Sequence, residues 1–224
     1  TEAMTMRNNT SQTALPMRDY GSFLLGNGVG GAGVHWNGHT WRFWDTDFQI
    51  ADHLTRRYGA EKFAELQLQN WGVTGAELEN AYDRFEYLCG ISGKAGNVNG
   101  EIREGGNPFE DPRARDYPLP PMQMTYAPTL FAEAARALGY HPFPTPAANM
   151  SEDYINPLGI AMGQCTMCGF CERFGCANYS KSSAQTTVLP VLMKKKNFEL
   201  RTHSEVLHVD LDASRTHARG VTYV

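Results

Sequence analysis

Gly26-Asn27-Gly28-Val29-Gly30-Gly31-Ala32-Gly33-Val34-His35-Trp36-Asn37-Gly38 is the stretch on which the reading of this 224-residue chain turns. Backbone with so few side chains can approach a bound group closely or turn tightly around one. Positions 26–31 match G-x-G-x-x-G in letters. A dinucleotide fingerprint also needs a strand before it, a helix after it and an acidic residue about 20 positions on. Phe23-Leu24-Leu25 gives a short strand at most. Asp45 and Asp47 fall in an aromatic run with Trp41, Phe43, Trp44 and Phe48, not at the end of a second strand. The stretch is therefore not the opening fingerprint of a Rossmann unit. A plain glycine turn leaves the following His-Trp-Asn-Gly unexplained, so Gly28, Gly30, Gly31, His35, Trp36 and Asn37 are read as a binding segment. Trp41, Phe43 and Trp44 are read first as packing residues, with sugar stacking as the alternative.

The second informative stretch is Cys165-Thr166-Met167-Cys168-Gly169-Phe170-Cys171-Glu172-Arg173-Phe174-Gly175-Cys176. Four of the five cysteines crowd into it, and Cys89 stands alone. Disulfide frameworks spread cysteines to close loops, whereas clustered thiolates can point at one metal centre. The spacing C-x2-C-x2-C-x4-C is near the ferredoxin run, without its trailing proline. Cys165, Cys168, Cys171 and Cys176 are thus candidate ligands, shielded by Met167, Phe170 and Phe174. An iron–sulfur cluster comes first, zinc second, and disulfides or free thiols third. Cys89, within an expected helix, reads as a buried small hydrophobe.

Between these stretches the pattern alternates helix with irregular chain. Residues 1–20 look polar and irregular. A helix is expected from about Asp52 to Gly59, with a weaker continuation to Gln69. Thr74-Gly75-Ala76-Glu77 is a capping box. It should open a helix reaching about Cys89, with Leu78, Ala81, Tyr82, Phe85 and Leu88 on its buried face. Residues 90–121, rich in Gly, Pro and Asn, read as a long functional or mobile loop. Tyr126–Leu138 reads as a helix stopped by Gly139. A short helix is expected from Ser182 to about Leu189. The final segment alternates, with Leu200, Val206, Val209, Leu211, Val221 and Val224 in strands and Asp212-Ala213-Ser214 as a turn.

Lys plus Arg number 20 and Asp plus Glu 24, a net charge of −4, which argues against nucleic-acid binding. Hydrophobic residues at 42% suit a globular chain. No run reaches the roughly 18 apolar residues of a membrane helix.

The segment Gly30-Gly31-Ala32-Gly33-Val34-His35-Trp36 resembles the second glycine motif of the glucose–methanol–choline (GMC) oxidoreductases, which wraps the flavin of FAD. Trp71-Gly72-Val73-Thr74 and the acidic, Tyr-containing helix after it resemble the family's next element. The stretch from Phe198 to Val224 resembles the β-meander of its FAD domain. The resemblance implies an α/β, mixed α+β fold. It would hold part of a Rossmann-like FAD-binding domain with a β-meander and an inserted substrate-domain region. It implies FAD as cofactor, with covalent attachment through His35 where the family has GG-x3-H, and a backbone contact from Val206 to the adenine. With the cysteine run, the chain looks most like the flavoprotein subunits of bacterial membrane-associated fructose, gluconate and FAD-dependent glucose dehydrogenases. A [3Fe–4S] cluster, a cytochrome c subunit, a small export subunit and a periplasmic location are then implied, with a cytoplasmic one not excluded.

On this reading residues 1–60 belong to the FAD domain, 61–160 lead toward the substrate domain, 161–181 form the cluster loop, and 182–224 return to the FAD domain. The family's first fingerprint, and its catalytic His with a His or Asn partner, are missing, so no catalytic residue is assigned. The chain is expected to be an internal piece that binds FAD poorly by itself and turns nothing over. The implied reaction is oxidation of a sugar, polyol or sugar-acid hydroxyl, with hydride passing to flavin N5 and electrons relayed through the cluster. The alternative is a non-catalytic iron–sulfur or zinc-stabilised binding module.

Overall fold

A computed structural model describes residues 3–6, 11–13, 15–19 and 26–224. The short strand expected at Phe23–Leu25 lies outside the described residues. The chain forms two compact units, residues 1–188 and 189–224.

The first unit opens with an antiparallel pair, β1 (Ala3–Met6) and β2 (Leu15–Asp19), bulged between Met4 and Thr5. This replaces the irregular N-terminal segment expected from its polar letters. Two short helices follow, α1 (Asp45–Phe48) and α2 (Ile50–Tyr58). The chain leaves α2 at Gly59 and makes only a 3-10 turn, Ala60–Phe63, so the expected continuation to Gln69 does not form.

Helix α3 (Gly75–Cys89) begins where the capping box places it. The Glu77 amide donates to Thr74 Oγ1 at 3.2 Å, and the Thr74 amide donates to Glu77 Oε2 at 2.8 Å. Its last carbonyls lack partners within the helix and are met from outside. Tyr154 Oη donates to the Tyr87 carbonyl at 2.8 Å, and Asn156 Nδ2 to that of Leu88 at 3.1 Å. The Ser182 hydroxyl takes the Cys89 carbonyl. Gly90 then turns the chain out at φ 61°, where an added Cβ would meet Met150 and Tyr154 at 2.6 Å.

The innermost residue of α3 is Glu86, not its apolar stripe: Phe85 and Ala81 are exposed. The reason is electrostatic. Arg113, 2% exposed, and Arg42 both donate to the Glu86 carboxylate, with Arg42 bidentate at 2.8 and 2.9 Å. A buried anion held between two guanidiniums outweighs the apolar pattern in fixing the helix rotation.

Residues 90–121 are irregular as expected, but the segment begins in a well-buried run and returns to the interior at Arg113, Tyr117 and Leu119, while 99–105 are exposed. Ile91, Ser92, Ala95 and Asn97 are buried. Side chains satisfy the backbone of this segment: Asp116 accepts from the Ala95 amide at 2.9 Å and Glu110 from that of Asn97 at 3.0 Å. A short hairpin, β3 (Asn97–Val98) with β4 (Glu101–Ile102), interrupts it. Cys89, Ile91, Ala95, Tyr117 and Ala148 make one small apolar core, with Trp36 packed on it. Leu119, Met150 and Met162 make another. Cys89 is buried as expected, and burial pushes its thiol up to about 12.

Helix α4 (Tyr126–Ala137) is followed by Gly139 and packs only through Ala132 and Ala135. After the hairpin β5 (Tyr154–Ile155) with β6 (Ala161–Met162), the cysteine run carries no regular element. The helix expected from Ser182 breaks in two. The short α5 (Ala184–Thr187) ends the first unit, and α6 (Leu189–Leu192) opens the second. That second unit also contains β7 (Val206–Leu211) paired antiparallel with β8 (Ala218–Tyr223). Asp212 organises their turn by accepting from the Thr216 amide at 3.2 Å and the Ser214 hydroxyl at 2.8 Å.

The fold is mixed helix and strand, as expected. Among the described residues every sheet is a two-stranded antiparallel pair of sequence neighbours. The stretch read as a β-meander forms a two-stranded hairpin, and Leu200 lies outside any strand. A Rossmann-like sheet needs parallel strands joined by crossovers, and none joins these strands.

Candidate functional site

The glycine stretch folds as a turn leading into a 3-10 turn over Gly31–Val34. Gly30 takes φ 95°, a left-handed conformation that disfavours any side chain, and an added Cβ would stand 2.6 Å from Gln185 Oε1. Gln185, on α5, donates through Nε2 to the Val29 carbonyl and so pins the turn. Around Gly28 and Gly33 no atom of the other described residues lies within 4 Å of where a Cβ would sit. These two positions leave bare backbone facing open space.

His35 and Trp36 follow at once. The Trp36 indole donates to the Ser182 carbonyl at 2.9 Å, and the His35 carbonyl accepts from the Arg173 amide at 2.9 Å. His35 Nε2 is buried and has no hydrogen-bond partner among the described residues. Asn37 is exposed. Beside Gly33 and Trp36 lies an apolar cavity of about 520 Å³, walled also by Phe85, Leu88 and Val188. Of the apolar stripe of α3, Phe85 and Leu88 line this cavity.

An orphaned buried imidazole nitrogen, bare glycine backbone and an apolar slot suit a planar aromatic cofactor. A flavin in this slot would lie against Gly33 and Trp36; Gly28, Gly30, Gly31 and His35 adjoin them in the chain without lining the cavity. Val206 lies in the second unit, at the start of β7, paired with Tyr223 and exposed.

The cysteine run lies next to the same segment in space. Lys181, buried and five residues beyond Cys176, donates through Nζ to three carbonyls: Cys171 at 2.6 Å, Phe174 at 2.7 Å, and Trp36. Burial pushes its ammonium below the ordinary lysine range, against the pull of the nearby thiols. Asn149, buried, donates to Cys171 Sγ at 3.1 Å, and its Oδ1 lies against Gly38.

The thiols themselves do not converge. Cys176 donates to Asn178 Oδ1 at 2.8 Å, Cys165 lies 3.4 Å from the Met167 amide, and Cys168 is exposed. No three His, Cys, Asp or Glu side chains among the described residues group as a metal site. The cluster expected at Cys165, Cys168, Cys171 and Cys176 does not fit this arrangement, because three of the thiols are engaged with three different neighbours and Cys168 is exposed. Nor are any of them joined in disulfides.

The aromatic run also differs from expectation. Trp41, Phe43 and Trp44 are 54%, 62% and 44% exposed, and are not core residues. The chain is extended here, so Arg42 turns inward to Glu86 while its neighbours turn out. With Asp45, Glu79 and Tyr82 they line a cleft of about 950 Å³.

Lys181, Asn149 and Gln185 were not legible as site residues. Their roles depend on carbonyls and a thiol far away in sequence, and a lone Lys, Asn or Gln carries no local signal of such a partner.

The chain is similar over almost its whole length to a flavoprotein dehydrogenase of the glucose–methanol–choline type, and other oxidoreductases of that type match it. It is 40% identical to the gluconate 2-dehydrogenase flavoprotein of Pantoea cypripedii, over 99% of this chain and 37% of that protein. It is 29% identical to paromamine 6'-oxidase of Streptomyces fradiae, over 82% of this chain and 28% of that protein. With the fructose dehydrogenase large subunit of Gluconobacter japonicus it shares 30% identity, over 57% of this chain and 20% of that protein. The chain therefore spans 37% or less of the length of these relatives. No family model matches it. Among the described residues, no helix is long and apolar enough to cross a membrane.

Proposed function

We propose that this chain is the flavin-wrapping part of an FAD-dependent dehydrogenase that oxidises the hydroxyl of a sugar, polyol or sugar acid. The observation that carries this reading is the orphaned His35 Nε2 beside a bare glycine turn. The names of the gluconate and fructose dehydrogenase relatives support it. When bound, FAD supplies the hydride acceptor, its N5 taking hydride from the carbinol carbon.

This chain's residues do the holding. Gly28, Gly30 and Gly33 admit the cofactor's close approach, Trp36 walls its slot, and His35 is the attachment point for a covalent linkage. The cleft edged by Trp41, Phe43 and Trp44 suits a carbohydrate, whose C–H faces stack on aromatic rings while carboxylates take its hydroxyls. No residue here is assigned as the base that removes the hydroxyl proton. A cytochrome c acceptor, a small export subunit and a periplasmic location belong to the same proposal by resemblance. The four thiols carry no step in it.

The test uses the protein isolated from its source. Yellow flavin absorbance, bleached by gluconate, fructose or a related polyol without oxygen, is the expected result. Colourless protein, or flavin that no polyol reduces, refutes the reading. Fast reoxidation by oxygen, with peroxide formed, refutes the dehydrogenase in favour of an oxidase. Flavin wholly released by acid precipitation refutes the His35 linkage.

A further inference from the structure

Two motifs that are about 130 residues apart in sequence meet through one buried cation. The Lys181 ammonium donates to the carbonyl of Trp36 on one side and to those of Cys171 and Phe174 on the other. All three of its protons are used, so it has no capacity left for another partner. Its bridge partner across the antiparallel contact is Asn149, which reaches Cys171 Sγ with its amide nitrogen and abuts Gly38 with its amide oxygen. The Arg173 amide donates to the His35 carbonyl at 2.9 Å, a third link between the same two segments. Residues 35–38 are thus tied at three points to the loop that carries the cysteines.

We propose that Lys181 is a positioning residue that couples the cysteine loop to the His35–Gly38 segment, so that a chemical change at the loop thiols is felt at the flavin-wrapping backbone. The coupling has a simple physical basis. The ammonium can hold the Trp36 carbonyl at its present place only while the Cys171 and Phe174 carbonyls hold the ammonium. A bulky group on Cys171 Sγ breaks its bond with Asn149 and displaces the loop carbonyls. The Lys181 head then loses two of its three acceptors inside a buried site, where an under-bonded ammonium is costly. It must shift, and the Trp36 carbonyl loses its donor.

The assignment goes beyond the flavin reading and does not need it, because the contacts lie wholly within this chain. It adds to that reading a reason for the cysteine loop to lie here: the loop buttresses the segment that would wrap the cofactor.

The experiment follows amide hydrogen exchange in a peptide covering residues 34–39, by mass spectrometry, before and after alkylation of the loop thiols with iodoacetamide. Expected is a rise in exchange of about tenfold or more in residues 35–38 on alkylation, the size that loss of a charge-assisted hydrogen bond allows. In Lys181→Met, exchange there should be high from the start and insensitive to alkylation. Lys181→Arg, which keeps donors, should restore part of the protection and part of the response. Unchanged exchange in the wild-type protein after Cys171 is alkylated overturns the proposal. So does a Lys181→Met protein that responds as the wild type does. Should Lys181→Met not fold, the wild-type and Lys181→Arg measurements still decide. A colourless protein that shows the coupling would refute the flavin reading and leave this inference standing.

Discussion

Replacing Glu86 with leucine should be among the most damaging single changes in this chain. Glu86 is 1% exposed, and its carboxylate lies between the guanidiniums of Arg42 and Arg113. Without it, Arg42 keeps Glu79 as a partner. Arg113 fares worse. Among the described residues its side chain retains one hydrogen bond, from Nε to the Arg115 carbonyl at 2.7 Å, and the Tyr117 ring face at 3.9 Å, while its Nη1 already lacks a partner there. A buried cation stripped of its anion costs about 3–5 kcal/mol. With a urea slope of roughly 1–3 kcal/mol per molar, the unfolding midpoint should fall by about 1 M or more.

The double variant Glu86→Leu with Arg113→Met removes both charges. It should recover most of the loss, because a well-packed apolar pair in place of a buried ion pair is often neutral or better. The assay is urea unfolding of the four proteins of the cycle, followed by tryptophan fluorescence. A Glu86→Leu loss below about 1 kcal/mol would refute the claim that this network fixes the rotation of α3. So would strict additivity in the double variant.

Other outcomes follow from the same structure. Thr74→Ala removes the reciprocal cap of α3 and should cost about 1 kcal/mol in thermal or urea unfolding. Burial raises the Glu110 carboxyl above its ordinary value, against the amides of Asn97 and Gly96. The folded chain therefore holds that proton more tightly than the unfolded one, a stabilising contribution present in acid and lost as pH rises through the raised value. Glu110→Gln keeps the amide acceptor, so it should raise the melting temperature near neutral pH, with the gain vanishing below about pH 4. Iodoacetamide should label exposed Cys168 first and spare Cys89, whose buried thiol is pushed up to about 12, until the chain unfolds; mass spectrometry of digests reads the order. Gly30→Ala should lower flavin retention, because the left-handed turn and the Gln185 contact both exclude a Cβ.

Elements whose signals are local were read correctly from the letters. The Thr74–Glu77 box opened α3, Gly139 followed α4, and Asp212 turned the last hairpin, since each depends on atoms within a few residues. The glycine stretch likewise announced bare backbone, because the absence of side chains is itself a sequence fact. The buried state of Cys89 also followed from its place at the end of a helix, as a small hydrophobe.

Tertiary structure alone decided the rest. Residues 90–121 looked like loop, because nothing in their letters shows that Asp116 and Glu110 turn back to satisfy their amides. The apolar stripe of α3 looked like the core face, yet the attraction of two distant arginines for Glu86 put that carboxylate innermost and left Ala81 and Phe85 exposed. The cysteine spacing suggested converging thiols, but spacing constrains only how far each can reach. Asn149 and Lys181, arriving from other parts of the chain, set where the loop runs. Local patterns fix turns and caps because their energies are local; burial and buried charge are settled only when segments far apart in sequence come together.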